Sequence, residues 1–344
     1  MKQFFNIPDN DNDIEKESIG YWVKDLQNSE TLLGIIQTAA FKRLFDISFL
    51  GAIDYSERNY LSNIDRNRAS HSLFVAGIAN YIATERNYSH ELKEHIVAAA
   101  LLHDIGHIPL SHSAEPYIQT HFGYGHHEIG ENIINGSAWK DSGLKDALSK
   151  SFDINFIVSL LNFEAKDDGA DIFNSKINAD TIDGIIRCVE YKGINQSNVL
   201  NRISIARAAF IDNACISKSK RLQTLDDFWK TKQFVYNNFI NTKHGILSDK
   251  ASQIFFIEYN KIEHKDLFAE EKNWRGKYSM LFKWLSALKN NDMPSCIKSY
   301  DLEYTTRKYE VVLHEENIKK RYINSKHKKI IDNDELNIYR EVNF

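Results

Sequence analysis

Cysteine, proline and glycine are all scarce in this 344-residue chain, at three, four and fifteen residues. Three cysteines (188, 215 and 296) are odd in number and carry no CxxC spacing, which excludes a disulfide framework and a thiolate zinc site. So few prolines and glycines exclude a fold built on many tight turns and favour long helices. Charge of one sign is also missing: 43 basic against 47 acidic residues leave a net charge of −4. That balance, with 20 Phe and 16 Tyr, excludes a disordered chain. No apolar run exceeds the seven residues Ile96 to Leu102, and the start turns acidic after two phenylalanines, so neither a membrane span nor a signal-peptide core is read. The expectation is a cytoplasmic globular protein without membrane contact.

What is abundant is histidine in one place. Nine of the thirteen (71, 90, 95, 103, 107, 112, 121, 126 and 127) fall within 57 residues. The patterning around them is helical. Leu32, Ile35, Ile36 and Ala39 recur at helical spacing, as do Leu73, Ala76, Ile78 and Ile82. Glu91 to His103 reads as a helix whose apolar centre is buried, and Asp180 to Val189 as another. Thr224-Leu-Asp-Asp227 reads as a capping box opening an aromatic helix, and Tyr309 to His314 alternates at period two, which predicts a strand. Lys319, Lys320, Arg321, Lys326, Lys328 and Lys329 then follow without an interleaved acid. The organisation predicted is a polar lead-in over 1–29, a core over 30–200, and a helical extension over 201–344 with a strand and a basic segment. The whole is mostly α.

The chemistry centres on Leu101-Leu-His-Asp-Ile-Gly-His-Ile-Pro-Leu-Ser-His112. An imidazole beside a carboxylate at the end of a buried helix is costly unless a cation or strong donors compensate. Gly106 can end the helix and Pro109 blocks its continuation, so adjacent side chains can converge. His71 upstream and Asp180 downstream would complete a shell of two imidazoles and two carboxylates with His103 and Asp104, the donor set of metal-assisted hydrolysis. Such donors suit a borderline divalent ion better than calcium.

The order H…HD…D, with HDIGHxPxSH and a following His-Glu pair, resembles the HD-domain phosphohydrolase superfamily, most closely its deoxynucleoside triphosphate triphosphohydrolase (dGTPase-like) branch. The stretches that carry the resemblance are Gln37 to Arg43, Arg68 to His71, Ala99 to His112, His127-Glu128 and Asp180 to Asp183. It implies an HD-domain helical bundle with added C-terminal helices and a small β element. It implies that His71, His103, Asp104 and Asp180 hold a divalent ion (Mn, Fe, Zn, Ni or Mg). His107, His112 and His127 would line the pocket and protonate the leaving oxygen, with His126 as the alternative to His127. Glu115, one turn from His112, would orient that imidazole. Arg68 and Arg187 would grip phosphate, Asp183 either orienting Arg187 or simply pairing with it along the helix. The substrate implied is a nucleotide, the assembly a homo-oligomer. Three positions depart from the family's sugar-reading residues: Phe49, Gly184 and Cys188. Other readings of the same residues are a sibling hydrolase of a ribonucleotide, signalling nucleotide or oligonucleotide, redox chemistry at a two-iron centre, and a regulator that binds nucleic acid or a nucleotide effector through 319–329.

Overall fold

With proline and glycine scarce, the helices are opened by polar side chains. Ser18, Ser29, Thr38, Asn67, Asn178 and Ser217 each precede a helix and accept a backbone N–H of its first turn. The computed structural model describes residues 16–57, 65–139, 142–193, 200–212, 217–259, 262–300, 302–331, 336 and 338–343. These form a mostly α-helical body with short strands near the C-terminus.

The helix Arg68–Glu85 is buried along nearly its whole length, on all sides, and is the axis of the molecule. Against it pack His90–Leu102, Ala179–Tyr191, Arg202–Phe210 and Ile19–Asp25. Ile96 to Leu102 is fully buried, as the apolar run predicts. Ile19–Asp25 lies inside the predicted lead-in, yet Trp22 and Val23 are buried and Asn80 Nδ2 donates to Asp25 Oδ2 at 3.0 Å. The lead-in reading therefore fails from Ile19 onward, because two apolar residues suffice to dock a short helix on the central one. Residues 1–15 and Cys215 lie outside the described residues.

One hydrophobic cluster runs without interruption across residue 200. Glu271, from the C-terminal part, accepts Ser48 N at 3.1 Å, Ser48 Oγ at 3.0 Å and Leu110 N at 2.8 Å, and also Tyr55 Oη. The extension is thus bolted to the loops around the histidines.

Two expectations shift. The aromatic helix is Lys218–Val235, capped by Ser217, and Thr224 sits inside it with its hydroxyl donating to Lys220 O. The first turns are too polar to show a periodic signal, so the motif within was mistaken for the start. The strand is Leu302–Val311, not 309–314, and pairs antiparallel with Tyr322–Ile331. This hairpin rests on the Lys218–Val235 helix through Trp229, whose ring lies 5.4 Å from Tyr309 and 5.2 Å from Tyr322. Arg321 is buried beneath it, bonded to Asp226 at 2.5 and 2.7 Å, which removes it from the predicted basic run. No helix of the described residues is long and apolar enough to cross a membrane.

Candidate metal centre and active site

Asn67 and Asn178 cap the two helices that carry His71 and Asp180, so both residues stand in first turns that face the end of the His90–Leu102 helix. There the chain turns, and His103 and Asp104 complete the cluster. His71 Nε2 lies 3.2 Å from His103 Nε2, 3.0 Å from Asp180 Oδ1 and 3.6 Å from Asp104 Oδ2. His103 Nε2 lies 3.4 Å from Asp104 Oδ1 and 3.9 Å from Asp180 Oδ1.

The donor chemistry fits a divalent ion. His103 Nδ1 lies 2.8 Å from Ala100 O, a carbonyl that can only accept, so its proton is on Nδ1. His71 Nδ1 lies 2.6 Å from Asp183 Oδ2 and is likewise placed to donate. Two Nε2 lone pairs therefore face each other among carboxylate oxygens, an arrangement only a cation relieves. Metal–ligand bonds of about 2.1 Å place ligand atoms about 3.0 to 3.4 Å apart in octahedral or tetrahedral shells, which brackets most of the observed separations. Burial pushes the His71 imidazole's pKa down, but the Asp180, Asp183 and Asp104 carboxylates outweigh it and raise it, so a proton competes with the ion for this site. Burial works against the Asp104 carboxylate too, yet His103, Arg68 and His107 hold it well below the usual range.

Asp183 and Arg187 do not reach the substrate side. Asp183 is wholly buried behind His71, where it also accepts Arg187 Nε at 2.8 Å and Arg202 Nε at 2.6 Å. Arg187 Nη2 donates to Ser70 O at 3.0 Å. Neither lines the cavity in front of the shell, so the phosphate-gripping role read for Arg187 is corrected: its fork is spent on Asp183 and backbone carbonyls. Asp183 becomes the carboxylate that orients a metal-facing histidine. Arg68 does line the cavity, but it donates to Asp104 Oδ2 and Phe49 O at 2.7 Å each and to Ser111 Oγ at 3.1 Å.

A second group stands beside the shell. After Pro109, Leu110 and Ser111 both take left-handed backbone (φ 61° and 46°), a strained pair that Leu110 N to Glu271 and Ser111 Oγ to Ser48 O (2.6 Å) hold in place. The turn swings His112 back over His107, ring centroids 4.7 Å apart. Gly106 does not end the helix, which stops at Leu102, but it is a packing point. A Cβ there would meet His126 O at 2.0 Å and Gly130 N at 2.3 Å, so only glycine lets the His126–Ile134 helix approach. That approach stacks His126 on His107 at 4.2 Å, and Glu115 accepts from His126 Nδ1 and, at 3.1 Å, lies against His112 Nδ1. His127 also lines the cavity, and His126, the alternative to it, joins His112 on the Glu115 carboxylate.

One ring nitrogen from each of His107, His112 and His126 also lies within 4.8 Å of the others, so this group too could hold an ion, though its geometry suits one less well. His107 and His126 are parallel to within 12°, so lone pairs in their planes converge poorly on one ion. They are arranged to handle protons and anions. Burial, then the Arg68 charge, pushes His107 well below its ordinary pKa and keeps it neutral. Its Nε2 lies 3.2 Å from Asp104 Oδ1 without hydrogen-bond geometry, and among the described residues neither ring nitrogen makes a hydrogen bond. Burial raises the Glu115 carboxyl, but His112 and His126 outweigh this and hold it well below the usual carboxylate range.

Shell and relay open on one cavity of about 680 Å³. Its far wall comes from the extension: Lys232, Tyr236, Asn241, Asp249, Thr305 and Arg307. Sequence reasoning missed all six, and no local motif marks them. The floor is apolar. Phe49 lies 4.8 Å from the His71 ring, and a Cβ on Gly184 would stand 3.6 Å from Phe49 Cζ. Two of the departures, Phe49 and Gly184, thus lie in contact on this floor.

The HD domain family matches residues 68–147, the stretch holding His71, His103, Asp104 and the whole relay. An uncharacterized protein of Mycoplasma pneumoniae is 24% identical over 260 residues, 70% of this chain and 59% of the relative. An uncharacterized protein of Methanocaldococcus jannaschii is 34% identical over 166 residues, 48% of this chain and 31% of the relative. A deoxyguanosinetriphosphate triphosphohydrolase-like protein of Rickettsia bellii is 37% identical over 104 residues, 29% of this chain and 25% of the relative. The chain thus spans under two thirds of the length of each. In overall fold it is similar to the crystal structure of a hypothetical protein from Aquifex aeolicus, with a TM-score of 0.61 at 16% identity, covering 89% of this chain and 93% of that one.

Proposed function

We propose that the chain, whose residues 68–147 match the HD domain family, is a metal-dependent phosphohydrolase that acts on nucleotides and releases triphosphate from a deoxynucleoside triphosphate, as the name of its dGTPase-like relatives suggests. The observation that carries this reading is two groups side by side on one cavity: His71, His103 and Asp104, with Asp180 against them, and next to these a Glu115-bonded histidine pair.

His71, His103, Asp104 and Asp180 would hold the ion, which when bound supplies Lewis acidity to a phosphoryl oxygen and acidifies water. Asp183 fixes the His71 tautomer so that Nε2 faces the shell. Arg68 holds the Asp104 carboxylate and neutralises part of the site's charge. His126, its Nδ1 committed to Glu115, presents Nε2 for a proton that it hands to the leaving oxygen; Glu115 stabilises the imidazolium before transfer. His107 stays neutral and offers an N–H to phosphate oxygen. Lys232 and Arg307 meet the phosphates from the opposite wall. The Phe49–Gly184 pair favours a second reading for the sugar alone: a nucleotide other than the deoxyribonucleotides those relatives are named for.

The test is incubation with separate dNTPs, NTPs and oligonucleotides in Mn²⁺, Mg²⁺ or Ni²⁺, products resolved by chromatography. Intact triphosphate plus nucleoside supports the proposal, and stepwise phosphate loss or oligonucleotide shortening supports a sibling activity. Wild-type protein that takes up no more metal than His103→Ala and Asp104→Ala variants, and turns over nothing, would sink it.

A further inference from the structure

The cavity does not end at its rim. Thr305 and Arg307 line it and belong to one face of the Leu302–Val311 strand, since residues two apart point the same way. In the antiparallel register Arg307 lies opposite Lys326 and Thr305 opposite Lys328, and directly opposed residues share a face. Lys326 and Lys328 therefore stand on the cavity side of the hairpin, about 5 Å across from Arg307 and Thr305 and about 7 Å from each other. Both are exposed. Lys326 has no acidic partner among the described residues, and the Glu303 carboxylate that meets Lys328 at 3.1 Å is itself over half exposed, a pair of little strength.

At the inner end of this strip is Lys232. It is only 8% exposed, forms no ion pair within the described residues, and has its ammonium over the Trp229 and Tyr309 rings at 4.9 and 4.7 Å. A buried cation that faces a cavity with no carboxylate in ion-pair contact, Asp180 acting on it only from a distance, can take an anion. Tyr236 lines the same wall and offers an aromatic face on which a base can stack.

We infer that Lys232, Arg307, Lys326 and Lys328 form one phosphate track that leads single-stranded nucleic acid from the hairpin into the cavity. A free mononucleotide uses only its inner end. The repeated spacing of cations along the hairpin, with an aromatic beside Lys232 at its inner end, fits a chain of phosphates. The inference rests on the nucleotide reading of the cavity, but locates the contact differently from the continuous basic run. Arg321 is buried in its Asp226 pair, and Lys319 and Lys320 belong to the Ile318–Arg321 turn of helix between the strands. Only alternate residues of Tyr322–Ile331 share the track.

The test uses the full chain and fluorescein-labelled oligodeoxythymidylate, with binding followed by anisotropy across a salt series in EDTA so that no turnover is needed. Each single-strand phosphate neutralised contributes about 0.7 to the slope of log K against log salt, so a Lys326→Gln/Lys328→Gln variant should lose about 1.4 from the wild-type slope. Lys319→Gln/Lys320→Gln should keep it. Wild-type slope in the 326/328 variant, or no binding by the wild type at low salt, overturns the track. If the wild type binds with the expected slope change but hydrolyses no nucleotide, the activity fails and the track stands. If mononucleotides are hydrolysed but the strand does not bind, the track fails alone.

Discussion

Asp183→Asn probes the deepest part of the site without touching the cavity. The carboxylate accepts from one metal-facing histidine and two buried arginines, all within 2.8 Å. The amide keeps the shape but loses the charge, and its N–H₂ must point at a donor. Outer partners of metal-bound histidines are worth about 10–100-fold in metal affinity, so about 1.4 to 2.7 kcal/mol of binding should go. Two guanidiniums are left beside a neutral group, and breaking a buried pair costs about 3–5 kcal/mol of stability. Arg202 retains Glu190, at 2.5 and 2.7 Å, which should keep the loss near the lower figure.

These two effects separate in urea titrations run with and without metal. At a metal concentration about a hundredfold above the wild-type Kd, the ion adds about 2.7 kcal/mol; a variant with hundredfold weaker binding gains only about 0.4 kcal/mol at that concentration. Asp171→Asn is the control. It cuts an ion pair with Arg86 that is part-exposed and remote from the shell, so it should shift stability by under about 1 kcal/mol and leave the metal increment intact. An Asp183→Asn protein that gains the full wild-type increment would refute the claim that Asp183 tunes the shell.

Glu115→Gln should lower kcat by about 10²–10⁴ while metal content is unchanged, checked by steady-state kinetics beside elemental analysis, because the His126 proton loses its counter-charge. Lys232, pushed down to about 8 by burial, is cationic below that pH and neutral above it. KM for a nucleotide should therefore rise as pH climbs through about 8, and Lys232→Arg should move that rise out of the assay range. Arg321→Ala should cost about 1.5 to 3 kcal/mol in urea unfolding by releasing the hairpin from Asp226, and should weaken oligonucleotide binding with it.

How much of this was legible beforehand depended on whether geometry was local. That His71, His103, Asp104 and Asp180 converge was legible because each sits near a helix end: after Asn67, just past Leu102, or after Asn178. The four-residue spacing of Asp183 and Arg187 also announced their pairing, though not that Arg202 would claim the same carboxylate from another helix. His126 and His127 differ by one step, about 100° of helix. Only the packing of Gly106 on that helix decides which imidazole reaches Glu115. Lys232 and Arg307 were beyond reach. They become neighbours of Asp180 through a hairpin register and a helix dock, neither written in any short stretch of sequence.

The three departures then read differently. Phe49 fills space that Gly184 leaves open, and its ring lies against His71 and under the Arg68 guanidinium at 4.9 Å. Cys188, on the same helix face four residues beyond Gly184, lines the cavity as a buried thiol pushed up to about 12, uncharged at working pH. At all three positions a polar group that the family resemblance would place there is absent, and what remains is an apolar floor beside His71. Such a floor recognises no hydroxyl by hydrogen bonding, so discrimination between sugars should be weak, of the order that a hydrophobic surface allows against an added hydroxyl, about a hundredfold or less. On the proposed reading, selectivity would then come from the other wall, where Lys232 and Arg307 line the cavity and can meet phosphates.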